Sequence, residues 1–200
     1  MAKHHHFIHV HKLRPTQMTV GMREVHDKRK HIESLSEQAR REFIETHPIP
    51  AVLGPDARHY LIDHHHLGRA LSESKIADVL LEVIEDLSDL SPSDFWAEMD
   101  ASRWVHPFDE SGVRRPVDQL PHHVDHLVDD PYRSLAAYVR NQGGYHKNTQ
   151  PFSEFLWADF FREHIPRLTN HHGFGQAVKE AVQLAQTGEA AHLPGFIGNA

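Results

Sequence analysis

Four consecutive residues, Asp63-His64-His65-His66, carry the densest chemistry in the chain. A carboxylate beside three imidazoles supplies proton acceptors, hydrogen-bond donors and metal ligands within one short span. The quartet follows an apolar run, Tyr60-Leu61-Ile62, and precedes Leu67-Gly68-Arg69-Ala70-Leu71, which reads as helix. It therefore stands at a strand-to-helix junction. Unpaired backbone N–H groups and a partial positive charge at such a helix start favour phosphate or carboxylate. Successive helical residues point about 100° apart, so at most two of the three imidazoles can converge. Three readings stay open. One is a phosphate or proton-transfer site. Another is a metal site, although zinc histidines more often come as HxH, HxxxH or from distant segments. The third is a plain helix cap at Asp63 with solvated histidines.

Other segments could serve the same chemistry. Arg14, Thr16 and Gln17, in Leu13-Arg14-Pro15-Thr16-Gln17, offer a cation, a hydroxyl and an amide to a base, ribose or phosphate, or else form a solvated turn. Arg69, three residues beyond His66, shares its helix face and could add a cationic contact. Gly143-Gly144 followed by His146 and Lys147 reads as a loop able to close over phosphate, or as an ordinary solvated loop. His122 and His126 have HxxxH spacing but lie in a proline-rich stretch without the glutamate of the HExxH pattern, and read as surface residues. His171-His172 reads as a loop that ends a helix.

Composition narrows the function classes. Lys and Arg number 21 against 28 Asp and Glu, for a formal charge of -7, which disfavours DNA as a partner without forbidding a local basic patch. The 21 histidines would turn the net charge positive in mild acid. The absence of cysteine excludes disulfides, thiolate metal sites and thiol nucleophiles. No apolar stretch approaches the roughly 18 residues of a membrane span, and the N-terminus lacks a signal-peptide core. A cytoplasmic protein with no membrane partner is the expectation, and the sequence does not address its oligomeric state.

The elements that must position these residues follow from periodicity. Phe7 to His11 reads as a first strand, with His4-His5-His6 before it, and Leu13 to Gln17 reads as a loop because Pro15 removes a donor. Apolar spacing from Met22 to Leu35 and from Ser36 to Thr46 predicts two amphipathic helices. His47 to Leu53 and His59 to Ile62 form a hairpin pattern around Gly54-Pro55-Asp56-Ala57. A helix over Leu67 to Ser74 and a β-branched strand from Ile76 to Ile84 complete a β-α-α-β-β-α-β order. Beyond Ser91 the pattern is helical, at Ser91 to Asp94 and onward, Tyr132 to Asn141, Phe152 to His164 and Gly175 to Thr187. An irregular proline-rich segment runs from Val105 to Pro131, and the aromatic residues from Phe152 to Phe161 read as core. HLPGFIGNA reads as a loosely held end. The expectation is an α+β core over residues 1–90 and a mainly helical extension over 91–200.

The segment HPIPAVLGPDARHYLIDHHHLGRAL resembles the core of the ParB and sulfiredoxin-like superfamily, in which a hairpin leads into a helix bearing a GHHRLxA or GERR-type phosphate motif. Asp63 takes the family's Gly position, His64 and His65 the next two, His66 the usual Arg position, and Leu67 and Ala70 the apolar ones. HKLRPTQ resembles the family's first strand and following loop. The paired LRPTQ and DHHH segments are similar to those of the ParB-like nuclease group, over roughly residues 7–90. The resemblance implies a compact α+β fold with a phosphate site at this helix start. It also implies a nucleotide ligand such as CTP, ATP or ADP with magnesium, and phosphoryl transfer or phosphoester hydrolysis. Asp63, His64, His65 and His66 would be catalytic, with Arg14, Thr16, Gln17, Arg69 and Lys147 binding the nucleotide. The alternative is a non-catalytic module on the same fold that senses nucleotide or binds DNA. The absence of cysteine removes the sulfiredoxin reaction. His66 where relatives carry Arg replaces a permanent bidentate cation with a titratable ring.

Overall fold

A computed structural model describes residues 4–165, 168 and 173–198. His171 and His172, expected to end a helix, lie outside the described residues. Strand β1 (His4–His9) leads through a 3-10 turn into β2 (Leu13–Pro15). A short strand β3 (Thr19–Val20) and helices α1 (Met22–Ser34) and α2 (Glu37–Thr46) follow. Ser36 caps α2, accepting the Ala39 N–H. The hairpin strands are β4 (Ile49–Gly54) and β5 (Arg58–Leu61), and then come α3 (His65–Glu73) and β6 (Asp78–Asp86).

The expected loop over Leu13–Gln17 is instead partly strand. β2 pairs parallel with β5, Arg14 opposite Tyr60 and Pro15 opposite Leu61. Pro15 is tolerated because β2 is an edge strand, in a five-stranded mixed sheet ordered β1-β6-β4-β5-β2. Its carboxyl end carries Thr16 and Gln17 to the start of α3. The fold class is α+β.

Two compact units divide the chain, residues 1–20 with 25–128 and residues 21–24 with 129–200. Helix α4 (Pro92–Ala101) belongs to the first unit, where Phe95 and Met99 pack with Val52 and Tyr60 on one face of the sheet. Leu61 emerges on the opposite face, where a Cβ on Gly68 of α3 would come within 3.3 Å of it. The segment after α4 is irregular, as its prolines predict, and holds 3-10 turns at Val117–Gln119 and Val124–His126 before the short strand β7 (Val128–Asp129).

The second unit is built on α5 (Pro131–Asn141), α6 (Ser153–His164) and α7 (Phe174–Ala185). Its core contains Leu135, Val139, Trp157, Phe161 and Ala181, with Tyr145 stacked on Trp157 at 4.2 Å between ring centroids. The aromatic residues on α6 are core as expected, and Leu156 between them is exposed. The chain end, read as loosely held, is tied down through residue 195. The Trp157 indole N–H donates to the Pro194 carbonyl and the His146 N–H to that of Gly195. The aromatic core needs the Pro194 carbonyl because a buried indole N–H must find an acceptor. Among the described residues, no helix is long and apolar enough to cross a membrane.

Candidate functional site

The turn from β5 into α3 is made by His64, whose backbone is left-handed at φ 62°, ψ 26°. Asp63 supports it by accepting the His64 N–H at 2.6 Å. No side chain caps the helix, and the first i to i+4 backbone bond runs from the Gly68 N–H to the His64 carbonyl. The N–H groups of His65, His66 and Leu67 therefore precede the helical ladder, a set of donors with positive partial charge. Asp63 and His64 are exposed, whereas His65 and His66 are buried in the first turn. Two of the three imidazoles thus go inward.

His65 is held by β2's extension. The Thr16 backbone N–H donates to His65 Nε2 at 3.1 Å. The Thr16 hydroxyl donates to the Leu61 carbonyl and lies 3.3 Å from the same ring nitrogen. Because Nε2 accepts, the proton of the neutral ring sits on Nδ1. Nδ1 is buried and, among the described residues, has no hydrogen-bond partner. Burial pushes the His65 pKa down to about 3; Asp63 opposes the shift, and His64 and His106 add to it. At neutral pH this ring is a fixed, uncharged donor and a poor base.

A family model described as "Putative ParB-like nuclease" matches residues 6–163. The chain belongs to this family. A crystal structure of protein Atu1540 from Agrobacterium tumefaciens is similar to it, with 42% identity and a TM-score of 0.91, covering 100% of this chain and 99% of that one. No curated protein matches.

In this ParB-like chain the remaining sequence candidates are placed differently from one another. Gln17 is buried beside His65's partner Thr16 and bridges to His106. Arg14 turns to the sheet face that carries Tyr60, and its guanidinium donates to the His122 carbonyl at 2.7 Å. Arg69 is engaged within the first unit: it pairs with Glu73 at 2.7 Å and donates to the carbonyls of Val124 and Asp125. It ties α3 to the 3-10 turn there. Lys147 belongs to the second unit and is exposed. Of the two glycines before it, Gly144 is buried, and a Cβ there would lie 2.4 Å from Val139 Cγ1, whereas Gly143 is exposed.

One residue of the site went unread in the sequence. His106 arrives through its N–H, which donates to the Thr16 carbonyl at 2.8 Å, and its charge would be felt by His65. No spacing links positions 65 and 106; the Thr16 carbonyl and the bridge to Gln17 bring them together. Among the described residues no group of three or more His, Asp or Glu is arranged to hold a metal ion. His126 closes the 3-10 turn that begins at Val124 and His122 lies before it, so their HxxxH spacing does not place them one α-turn apart.

Proposed function

We propose that the first unit binds a phosphate ester at the Asp63–His66 junction and catalyses phosphoryl transfer or phosphoester hydrolysis, as a nuclease-like member of its family. The observation that carries this reading is the unpartnered Nδ1–H of His65 at the start of an uncapped helix. Leaving a buried donor unpaired costs about 1–3 kcal/mol, which a phosphate oxygen accepting that hydrogen would recover. Backbone N–H groups of the first turn would hold the other oxygens. Charge developing on the phosphate is then met by oriented donors that need not reorganise.

Proton transfer falls to the exposed Asp63 and His64, because His65 resists protonation above about pH 3. A nucleotide such as CTP, ATP or ADP would carry Mg²⁺ on its own phosphates, where the ion would neutralise charge. The same resistance to protonation favours a second reading, a site that senses nucleotide without turning it over.

Calorimetry with each nucleotide, with and without magnesium, followed by phosphate-release and strand-cleavage assays, separates the two. The first reading predicts binding with turnover that is lost in a His65→Ala/His66→Ala double variant. Binding without turnover supports the sensor. No binding at about 1 mM nucleotide removes both, and cleavage that survives the double variant relocates the site.

A further inference from the structure

A cavity of about 230 Å³ opens on the sheet face opposite Leu61, lined among others by Arg14, Arg58, Tyr60, Trp96, Asp118 and His122. α3 packs on the Leu61 side, so the cavity stands apart from the histidine junction. Three chemistries meet in it. Trp96 and Tyr60 meet edge to face, centroids 5.4 Å apart at 82°, and give an aromatic wall. Arg14 and Arg58 give two permanent cations. Arg14 is braced by the His122 carbonyl, and Arg58 has a loose, exposed pair with Asp56 at 3.5 Å. Asp118 gives an acceptor.

A simple anion would use the arginines and be repelled by Asp118. An aromatic acid would use the arginines and the rings but offer the carboxylate nothing. A ligand that satisfies all three has an anion, a flat face and a hydrogen-bond-donating edge. At roughly 30 Å³ of liquid per water, the cavity of about 230 Å³ displaces about eight waters, room for one base with its phosphate arm beside it but not for a second nucleotide. We infer that this cavity is a binding site for a single nucleotide 5′-monophosphate unit. The base lies against Trp96, its amino edge donates to Asp118, and the phosphate meets Arg14 and Arg58. The unit comes from a free mononucleotide or from the phosphorylated end of a single strand.

The test is calorimetry on the full chain with nucleoside 5′-monophosphates, the matching nucleosides and inorganic phosphate, near pH 7.5, where histidine is mostly neutral. Monophosphates are expected to bind more tightly than either nucleoside or phosphate. Arg58→Gln, a change at an exposed position, is expected to weaken the monophosphate roughly tenfold and the nucleoside hardly at all. Trp96→Phe, which keeps a ring in the packing, is expected to weaken monophosphate and nucleoside together by a few-fold. Asp118→Asn is expected to erase the preference for bases bearing an amino group. Competition by a 5′-phosphorylated single strand, but not by its unphosphorylated twin, assigns the strand end as the source; no competition by either assigns the free nucleotide.

Monophosphates binding no better than inorganic phosphate overturn the inference, as does indifference to Arg58→Gln and Trp96→Phe. Loss of monophosphate binding in His65→Gln also overturns it, by moving the ligand to the other face. Retention of that binding in His65→Gln keeps this site whatever becomes of the phosphoester reading.

Discussion

Thr16 and His65, 49 positions apart, meet through a 3.1 Å hydrogen bond in which a backbone N–H donates to a ring nitrogen. A main-chain donor cannot rotate away, so this contact sets both the plane of the imidazole and the nitrogen that carries its proton.

Burial of that neutral ring gives stability a pH signature. The folded-state pKa of His65 lies near 3, below the 6.5 of an unfolded chain. Between those values the unfolded state binds the proton that the folded state refuses. The contribution is therefore intact above about pH 6.5 and declines as pH falls toward 3, at roughly 1.4 kcal/mol per pH unit. The unfolding free energy of the parent relative to His65→Gln, from urea curves between pH 7.5 and about 4.5, should fall with that slope. Parallel curves would falsify the assignment of a buried neutral ring.

Thr16→Val keeps the backbone donor and removes the hydroxyl that serves the Leu61 carbonyl. We expect a loss of about 1–2 kcal/mol in denaturant unfolding. The His65 imidazole resonances should stay those of the same tautomer. A switch of tautomer in this variant would show that the hydroxyl, not the main chain, fixes the ring.

Gly54→Ala would place a methyl group 2.7 Å from both the Phe95 and Tyr60 rings. The end of β4 must then shift, at an expected cost of about 1–3 kcal/mol in thermal or urea unfolding. A Gly54→Ala protein with parental stability would mean that the rings yield more readily than their packing implies.

In the second unit, Asp130 is buried, caps α5 through the Tyr132 N–H and meets Arg162 at 2.8 Å. Burial raises its pKa, and Arg162 opposes that rise. Arg162→Met leaves the carboxylate without its cation and should destabilise the protein by about 3 kcal/mol at neutral pH. The raised carboxyl pKa means the protonated form becomes tolerable, so part of that loss should return as pH falls through its titration. A deficit that stays constant with pH would show that Arg162 acts through packing instead.

The junction at Asp63 was legible because two local signals agree there: an apolar strand pattern stops and a helical one starts within four residues. The helices α1, α2 and α5 were legible for the same reason, and the Ser36 cap marks its own position. What could not be read were contacts created by strand order. β2 looked like loop because a proline in an edge strand carries the same local signal as a turn. With β2 unread, the link from Thr16 to His65 and the arrival of His106 had no warrant in spacing. Arg69 looked like a spare cation because its acceptors are main-chain carbonyls of Val124 and Asp125, and a carbonyl is present at every residue. The cavity joins positions 14, 58, 96 and 118, which no window of sequence brings together.

The unpaired Nδ1–H of His65 bears on how this protein would behave under directed evolution. A library sorted for heat tolerance alone would enrich replacements at position 65 that still accept the Thr16 N–H, refill the space and bury no unmet donor of their own. Sorting the same library for ligand retention would remove them. The disagreement between the two selections, read at one codon, would map where this fold accepts instability in exchange for a prepared site.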